Sequence, residues 1–152
     1  MTSFSVSIQT DDFDLKAEAD KLRSNPNVGA VVSFVGSVRD NNLDESVTSL
    51  ELEHYPSMTE KTILAIIDKA CARWSLSGAR VIHRIGKLST TDQIVLVVVS
   101  SAHRGDAFQA CEFIMDFLKT DAPFWKKETT DDGERWVEAR ESDETAADRW
   151  SR

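Results

Sequence analysis

Basic side chains gather in the middle of an otherwise acidic chain. Between Arg73 and Arg104 there are five basic residues and one acidic residue, a local excess of 5 − 1 = +4, whereas the whole chain of 152 residues carries a formal charge of −8. Two histidines, His83 and His103, lie in the same window. The acidic total argues against a general nucleic-acid-binding protein, which needs a dominant basic face. The local excess indicates a site for a small anion, with solvated charges on the outer faces of two strands as the alternative.

The segment Ser101-Ala102-His103-Arg104-Gly105-Asp106 is the first candidate site. It joins the end of an apolar strand to the start of a helix, where free backbone N–H groups and the positive end of the helix dipole favour an anion. Arg104 adds a fork of donors suited to a phosphate group. A surface loop in which His103 bonds a neighbouring carbonyl is an equally weighted alternative.

Two lysines, Lys119 and Lys126, form the second candidate site. Their spacing of seven residues fits one helical face, but Pro123 ends the helix between them, so they meet only if the chain folds back. The alternative is that Lys119 complements the helix dipole and that the Lys126-Lys127 pair is solvated. If the two lysines converge near Arg104, a lysine amine becomes available as a base or nucleophile.

A third candidate site, weak when taken alone, is Gly36-Ser37-Val38-Arg39 at the end of another strand. Glycine lets the backbone approach a ligand, and the arginine can reach an anion. Other residues are interpreted as structural: two histidines as framework residues, and four aromatic residues as parts of the core or of an interface. They are His54, His83, Tyr55, Trp74, Trp125 and Trp136.

Apolar periodicity predicts ten elements in the order β-α-β-β-α-β-β-α-β-β. Strands are predicted at 4–8, 29–36, 47–55, 79–85, 94–101, 124–128 and 134–139, with helices in the three longer intervals and a loop at 39–42. Hairpins outnumber crossovers, which favours an α+β fold with a mixed, mostly antiparallel sheet. The whole chain, 1–152, is predicted to form a single domain with an acidic tail from about residue 141.

Local signals predict how the helices begin and what they bury. Asp11-Asp12, the capping-box spacing 57–60 and Asp106 are predicted to cap the first, second and third helices. Cys71 and Cys111 are predicted to be buried thiols rather than a disulfide or a metal pair. The inner stripe of the third helix is predicted to contain Phe108, Cys111, Met115 and Leu118.

Composition also limits location and cofactors. No apolar run approaches the roughly 20 residues that span a bilayer, and the first residues do not resemble a signal peptide. A cytoplasmic protein is therefore predicted, without a membrane partner. The chain has no CxxC motif and three scattered histidines, so no metal and no cofactor are predicted.

Several segments, taken in order, resemble the large-subunit family of molybdopterin synthases, the MoaE family. They are GAVVSFVGSVR (29–39), LEHYP (52–56), HRIG (83–86), SAHR (101–104), MDFLKTDAPFWKKE (115–128) and WVEAR (136–140). The resemblance implies an α/β hammerhead-type fold and a homodimer within a heterotetramer. It also implies sulfur transfer from the carboxy-terminal thiocarboxylate of a small ubiquitin-like subunit to cyclic pyranopterin monophosphate, which forms the dithiolene of molybdopterin.

The same resemblance implies roles for individual residues. Lys119 and Lys126 would be catalytic. Phosphate and pterin would be held by Arg39, His103 and Arg104. Further contacts would come from Ser37, Val38, Lys127 and Glu128, and from Arg140 toward the neighbouring subunit. Two rival hypotheses stay open: a non-catalytic module that binds a phosphorylated metabolite, and an interaction protein that recruits a partner through its acidic tail and aromatic hairpin.

Overall fold

The computed structural model describes residues 3–39, 41–42, 45–55, 57–130, 133–137 and 147–151. These residues contain nine strands and three helices. The strands are β1 (Phe4–Gln9), β2 (Ala30–Ser37), β3 (Asn41–Asn42), β4 (Glu45–His54), β5 (Gly78–Arg84), β6 (Gly86–Ser89), β7 (Gln93–Ser101), β8 (Phe124–Thr130) and β9 (Gly133–Val137). The helices are α1 (Leu15–Arg23), α2 (Met58–Arg73) and α3 (Arg104–Thr120), and a short 3-10 turn follows at Arg149–Ser151. The predicted order is confirmed, with β3 and β6 added. β3 lies inside the predicted loop.

The strands form two sheets. The first has the order β1-β5-β7-β2, in which β1 and β5 are parallel and the other pairs antiparallel. The second has five strands, with β3-β4-β8-β9 in order and β6 also paired to β4, and all of its pairs are antiparallel. The α+β class with mostly antiparallel pairing is confirmed, but the strands divide between two sheets rather than one.

The main core lies between the first sheet and helices α2 and α3. Ile63, Ile66 and Ile67 of α2 and Val97 of β7 are at most 2% exposed in this core. Burying an aliphatic side chain of this size contributes about 1.5 to 3 kcal/mol. The other face of the same sheet packs against α1 through Ile82, Leu96 and Val98. Strand β7 is therefore covered on both faces, as its six-residue apolar run predicts.

The helix caps differ from their predictions. Helix α1 is capped by Asp14, whose side chain accepts from the Ala17 N–H at 3.1 Å, and not by Asp11-Asp12. Ser57 precedes α2 with a φ of 64° and makes no capping bond through its side chain. Thr59 instead bonds the backbone that precedes the helix: its hydroxyl accepts from the Tyr55 N–H at 3.1 Å and donates to the Tyr55 carbonyl at 2.9 Å. The capping-box prediction for α2 was therefore wrong.

Burial also departs from the prediction at two side chains, Phe108 and Cys71. Phe108 is 60% exposed, whereas Cys111, Met115 and Leu118 are buried, so only three of the four residues predicted for the inner stripe of α3 face the core. Cys71 is exposed on α2, contrary to its prediction. Tyr55, assigned to the core or an interface, is 57% exposed.

The 3-10 turn near the end of the chain packs against α3. Trp150 Nε1 donates to the Asp116 carboxylate at 2.6 Å, and an Arg149 Nη2 atom lies 2.8 Å from the same carboxylate. The Trp150 ring meets Trp74 edge-on at 5.5 Å between centroids. The assignment of Trp74 to a packed aromatic group is thereby confirmed.

Candidate functional site

Helix α3 has candidate residues at both of its ends. Arg104 is its first residue, and Lys119 lies in its last turn. At 1.5 Å per residue, the fifteen steps between them separate their backbones by about 22 Å. One chain therefore does not bring Lys119 near Arg104, and the predicted convergence of the two lysines with Arg104 does not occur within a single copy.

The arginine end, which we define as His103 and Arg104, is exposed. Helix α3 starts after His103, whose side chain makes no capping hydrogen bond. Asp106 was predicted to be the cap, but it lies inside the first turn, where its carboxylate accepts from the Ser75 N–H at 3.2 Å. A helix start of this kind offers backbone N–H groups and a positive dipole end to an anion.

The loop that leads to the arginine end is held tightly by its neighbours. The Ser101 hydroxyl donates to the Ser75 carbonyl at 2.7 Å, and Gly29 N–H donates to the Ser101 carbonyl at 3.0 Å. A Cβ at Gly29 would lie 2.3 Å from the Ala102 carbonyl oxygen, so no larger residue fits there. The loop is thus fixed up to Ala102, and the exposed side chains of His103 and Arg104 follow it.

The lysine end, which we define as Lys119 and Lys126, is built where α3 turns into β8. Helix α3 ends at Thr120, residues 121–123 form the connection, and Phe124 begins β8. The Phe124 ring stacks on the His83 ring with 3.7 Å between centroids. The charges of Lys126 and Lys119 both lower the pKa of the His83 imidazole, so both lysines belong to the electrostatic surroundings of this side chain.

Strand β8 aims Lys126 inward. Lys126 follows Phe124 by two residues, so both side chains leave β8 on the same face. The register partner of Lys126 is Leu52, which is only 1% exposed. Lys127 leaves the opposite face, and its register partner there is Glu51. The alternation therefore separates Lys127 from the Lys126 side of the strand.

His83 is buried and electrically neutral. Its Nδ1 lies 2.8 Å from the Arg84 carbonyl oxygen, which can only accept, so Nδ1 carries the proton. Burial lowers the pKa of His83 to about 3, the charges of Lys126, Lys119 and His54 add to that effect, and the bond to Arg84 opposes it. Sequence reasoning treated His83 as structural. A signal was available, because strand alternation puts His83 on the same core-facing side as Ala79 and Val81.

The third candidate segment lies at the lysine end of the first sheet. Val38 is 5% exposed in a small core with Leu50, Leu52 and Leu88, and its N–H donates to the Asp92 carbonyl at 2.9 Å. Ser37 and Arg39 flank it and are exposed. Asp92 directly precedes β7, whereas His103 follows the end of that strand, so the length of β7, about 26 Å, separates Arg39 from the arginine end.

The remaining predicted residues lie outside the described part of the chain. They are Arg140 as a whole and the side chains of Trp125, Glu128 and Trp136. Among the residues that the structure does describe, no group of three or more histidine, cysteine or acidic side chains could hold a metal ion. No helix there is long and apolar enough to cross a membrane.

Neither cysteine is an activated thiolate. Burial, followed by the charge of Glu112, raises the pKa of Cys111 to about 12. Partial burial and the charge of Asp68 raise the pKa of Cys71. Because the thiolate is the reactive form, both thiols are poor nucleophiles near neutral pH.

Fold and site together define a class: an α+β protein that presents basic side chains at both ends of one buried helix and has no activated cysteine. The family model described as MoaE protein matches residues 8–121 of the chain. This protein belongs to the MoaE family.

The chain is similar to known relatives along most of their length. The chain is 59% identical over 146 residues to the molybdopterin synthase catalytic subunit of Ralstonia nicotianae, covering 95% of this chain and 83% of that protein. It is 62% identical over 122 residues to the protein of the same name from Escherichia coli, covering 80% of this chain and 81% of that protein. A solved molybdopterin biosynthesis MoaE protein from Burkholderia ambifaria superposes with a TM-score of 0.84 at 53% identity, over 100% of this chain and 99% of that one.

Proposed function

We propose that this protein is the catalytic subunit of a molybdopterin synthase that acts in the cytoplasm. It transfers sulfur from the carboxy-terminal thiocarboxylate of a small ubiquitin-like subunit to cyclic pyranopterin monophosphate, forming the dithiolene of molybdopterin. The name of the relatives supports this reaction, and the term catalytic subunit implies that those proteins work with a further subunit.

The single observation that carries the proposal is the placement of Lys119 and Lys126 on the two elements that meet at Phe124, whose ring stacks on buried His83, in a chain without an activated cysteine. A thiocarboxylate brings its own sulfur, so the large subunit needs no thiol of its own. It has to bring two anions together, neutralise their charges and move protons. Two lysines held near each other can do all three.

The separation along α3 indicates how the site is completed. Arg39 and the lysine end lie at one end of the first sheet, and the arginine end lies at the other, more than 20 Å away by the estimate above. One small substrate cannot touch both ends of the same chain. We therefore propose a homodimer in which His103 and Arg104 of one copy complete the site built on Lys119 and Lys126 of the other.

Within that composite site the proposed roles follow side-chain chemistry. Lys119 and Lys126 act on the reacting groups, while Arg39, His103 and Arg104 bind phosphate and pterin. Ser37 and Val38 contribute from the end of β2. Further contacts are proposed for Lys127, Glu128 and Arg140, the last toward the neighbouring copy.

Reconstitution tests the reaction directly. The purified chain is incubated with the pterin precursor and a thiocarboxylated small subunit, and the dithiolene product is measured. Product that depends on all three components supports the proposal. Precursor binding without product would instead indicate a metabolite-binding module, and small-subunit binding without precursor binding would indicate an interaction protein.

Mixing two impaired variants tests the composite site, with turnover measured at a precursor concentration well below saturation so that the binding defect of Arg104→Ala also lowers the rate. Random pairing of Lys119→Ala with Arg104→Ala chains makes half of the dimers mixed, and each mixed dimer has one intact site. Activity should therefore return to about a quarter of the wild-type value if the two ends work across subunits. A mixture that stays as inactive as its components would contradict sharing between copies.

A further inference from the structure

An aromatic stack lies beneath the lysine end and is not used by the proposed reaction. The Phe124 ring stacks on the His83 ring, with 3.7 Å between the centroids and 16° between the planes. The His54 ring also lies near Phe124, with 6.5 Å between the centroids and 35° between the planes. His54 and Phe124 are register partners on β4 and β8, and His83 belongs to β5. The stack therefore ties the second sheet to the first.

The stack holds the junction between the two elements that carry the lysines. Helix α3 ends at Thr120 and β8 begins at Phe124, so only three residues connect the element that carries Lys119 to the one that carries Lys126. Inside the turn, the Phe124 N–H donates to the Ala122 carbonyl at 2.9 Å. The Phe124 ring is the first side chain after the turn to contact another strand. Its contact with His83 thus sets where β8 starts and which way Lys126 points.

The chemistry of His83 suits this position. The ring is 7% exposed, and the Nδ1 bond to the Arg84 carbonyl fixes its tautomer and its orientation. The groups that face it are Lys119, Lys126 and His54. A flat ring that stays neutral can lie beneath two ammonium groups without adding a third positive charge, and it still offers a face for stacking.

We propose that His83 is a positioning residue for the lysine end: its ring fixes Phe124 and, through Phe124, the backbone that carries Lys126. The expected effect on turnover rests on the proposed function. A displacement of about 1 Å at a reacting group can cost on the order of a hundredfold in rate, so a packing residue behind the site can control turnover.

A set of variants separates stacking from plain stability. His83→Phe keeps a flat ring against Phe124, whereas His83→Asn keeps a donor for the Arg84 carbonyl and loses the ring. Phe124→Leu removes the other ring of the stack, and it tests the role of stacking if His83→Asn fails to fold. Ile82→Val is the matched control, because Ile82 is a buried neighbour on the same strand that faces α1 instead.

Steady-state kinetics with precursor and thiocarboxylated small subunit provide the first readout. We expect kcat to fall at least about tenfold in His83→Asn and Phe124→Leu, with KM for the precursor within about twofold of wild type. His83→Phe should stay within about threefold of wild-type kcat, and Ile82→Val within about twofold. A kcat in His83→Asn that matches the control, or a His83→Phe variant as slow as His83→Asn, would overturn the proposal.

The second readout does not depend on activity. Lysines are labelled by reductive ¹³C-methylation, and the Lys126 signal is assigned with Lys126→Arg. Its NMR resonance should shift in His83→Asn and Phe124→Leu and stay in place in His83→Phe and Ile82→Val. A wild-type protein that makes no dithiolene would refute the proposed function, and this measurement would still decide the role of His83. An unmoved Lys126 signal in His83→Asn and Phe124→Leu would refute that role.

Discussion

The two ends of α3 present basic residues in opposite settings. At the lysine end, Lys126 leaves an inward face opposite buried Leu52, and both lysines lie near buried His83. At the arginine end, His103 and Arg104 are exposed beyond a tightly held loop. Lys126 is half-buried and Lys119 is exposed, whereas both residues of the arginine end are exposed, so the contrast between the ends rests on Lys126 and on the buried ring beside it. The contrast teaches that a cluster of basic residues in sequence can divide into one group built for its own chain and another available to a second molecule.

The largest expected effect tests the lysine end. Lys119→Ala should lower product formation at least about a hundredfold while precursor and small subunit still bind, because a group that acts on the reacting atoms is lost. Lys119→Arg should fail nearly as badly, since a guanidinium cannot release a proton near neutral pH. Single-turnover assays measure both variants.

Lys16→Ala, which removes an exposed lysine paired with Asp20 on α1, is the control and should leave turnover unchanged. Near wild-type turnover in Lys119→Arg would exclude proton transfer or nucleophilic attack by this residue and leave an electrostatic role. Near wild-type turnover in Lys119→Ala would exclude both roles and leave Lys126 as the candidate.

The next effect tests the arginine end. Arg104→Ala should weaken precursor binding by about 1.5 to 3 kcal/mol, the usual size of a charged hydrogen bond, without loss of the small subunit. Calorimetry measures the change, and added salt should weaken wild-type binding in the same direction. Lys87→Ala removes another exposed basic residue of the same charged window and should leave the affinity as it was. Equal affinities for Arg104→Ala and wild type would exclude Arg104 from the site.

The third effect is the pH dependence of stability that buried His83, at the lysine end, should cause. Because the pKa of His83 is lowered from 6.5 to about 3 in the folded protein, the unfolded chain binds a proton between these values that the folded chain does not. Above about pH 6.5 the ring is neutral in both the folded and the unfolded chain, and His83 does not lower the free energy of unfolding. Below that pH, the free energy of unfolding falls by about 1.4 kcal/mol per pH unit as the pH drops toward 3.

Urea unfolding between pH 4.5 and 7 measures this slope. His83→Phe should reduce this slope by the contribution of about one proton, whereas Ile82→Val, which changes no titratable group on the same strand, should leave it unchanged. Equal slopes in wild type and His83→Phe would mean that the buried imidazole is not the titrating group.

The smallest effect concerns the space around the arginine end. A Cβ at Gly105 would meet nothing within 4 Å, so Gly105→Ala should stabilise the fold by about 0.4 to 1 kcal/mol through better helix propensity. Gly29→Ala should destabilise it, because its Cβ would collide with the Ala102 carbonyl. Urea unfolding compares the two variants. A destabilising Gly105→Ala would show that the start of α3 is less open than its neighbours indicate.

The sequence predicted the elements more reliably than their ends. Apolar periodicity located β7 and the buried face of α2, because core packing requires that spacing whatever the neighbouring residues are. The caps were less predictable. Ser57 has the expected spacing, but its φ of 64° leaves its side chain without a capping bond, and Thr59 bonds Tyr55 instead. Cap choice depends on local backbone angles that a spacing pattern does not contain.

The candidate site was predictable residue by residue and not as an arrangement. The break at Pro123 was visible in the sequence, but the return of the chain depends on Phe124 meeting His83, a contact between residues far apart in sequence. The distance between Arg104 and Lys119 needed only the knowledge that both lie on one helix. The sequence left open whether the lysines meet Arg104, and the length of one helix decides that they do not meet it within one chain.

The length of α3 limits which insertions and deletions this protein can tolerate. Arg104 and Lys119 are separated by fifteen residues of one helix, so at 100° per residue their side chains leave the axis within about 60° of each other. Deleting one residue between them would turn one end by about 100° against the other and shorten the helix by about 1.5 Å. Both clusters and the core-facing stripe would then lose their common orientation. Length changes should therefore accumulate in the surface loops between strands, while the number of residues in α3 stays fixed.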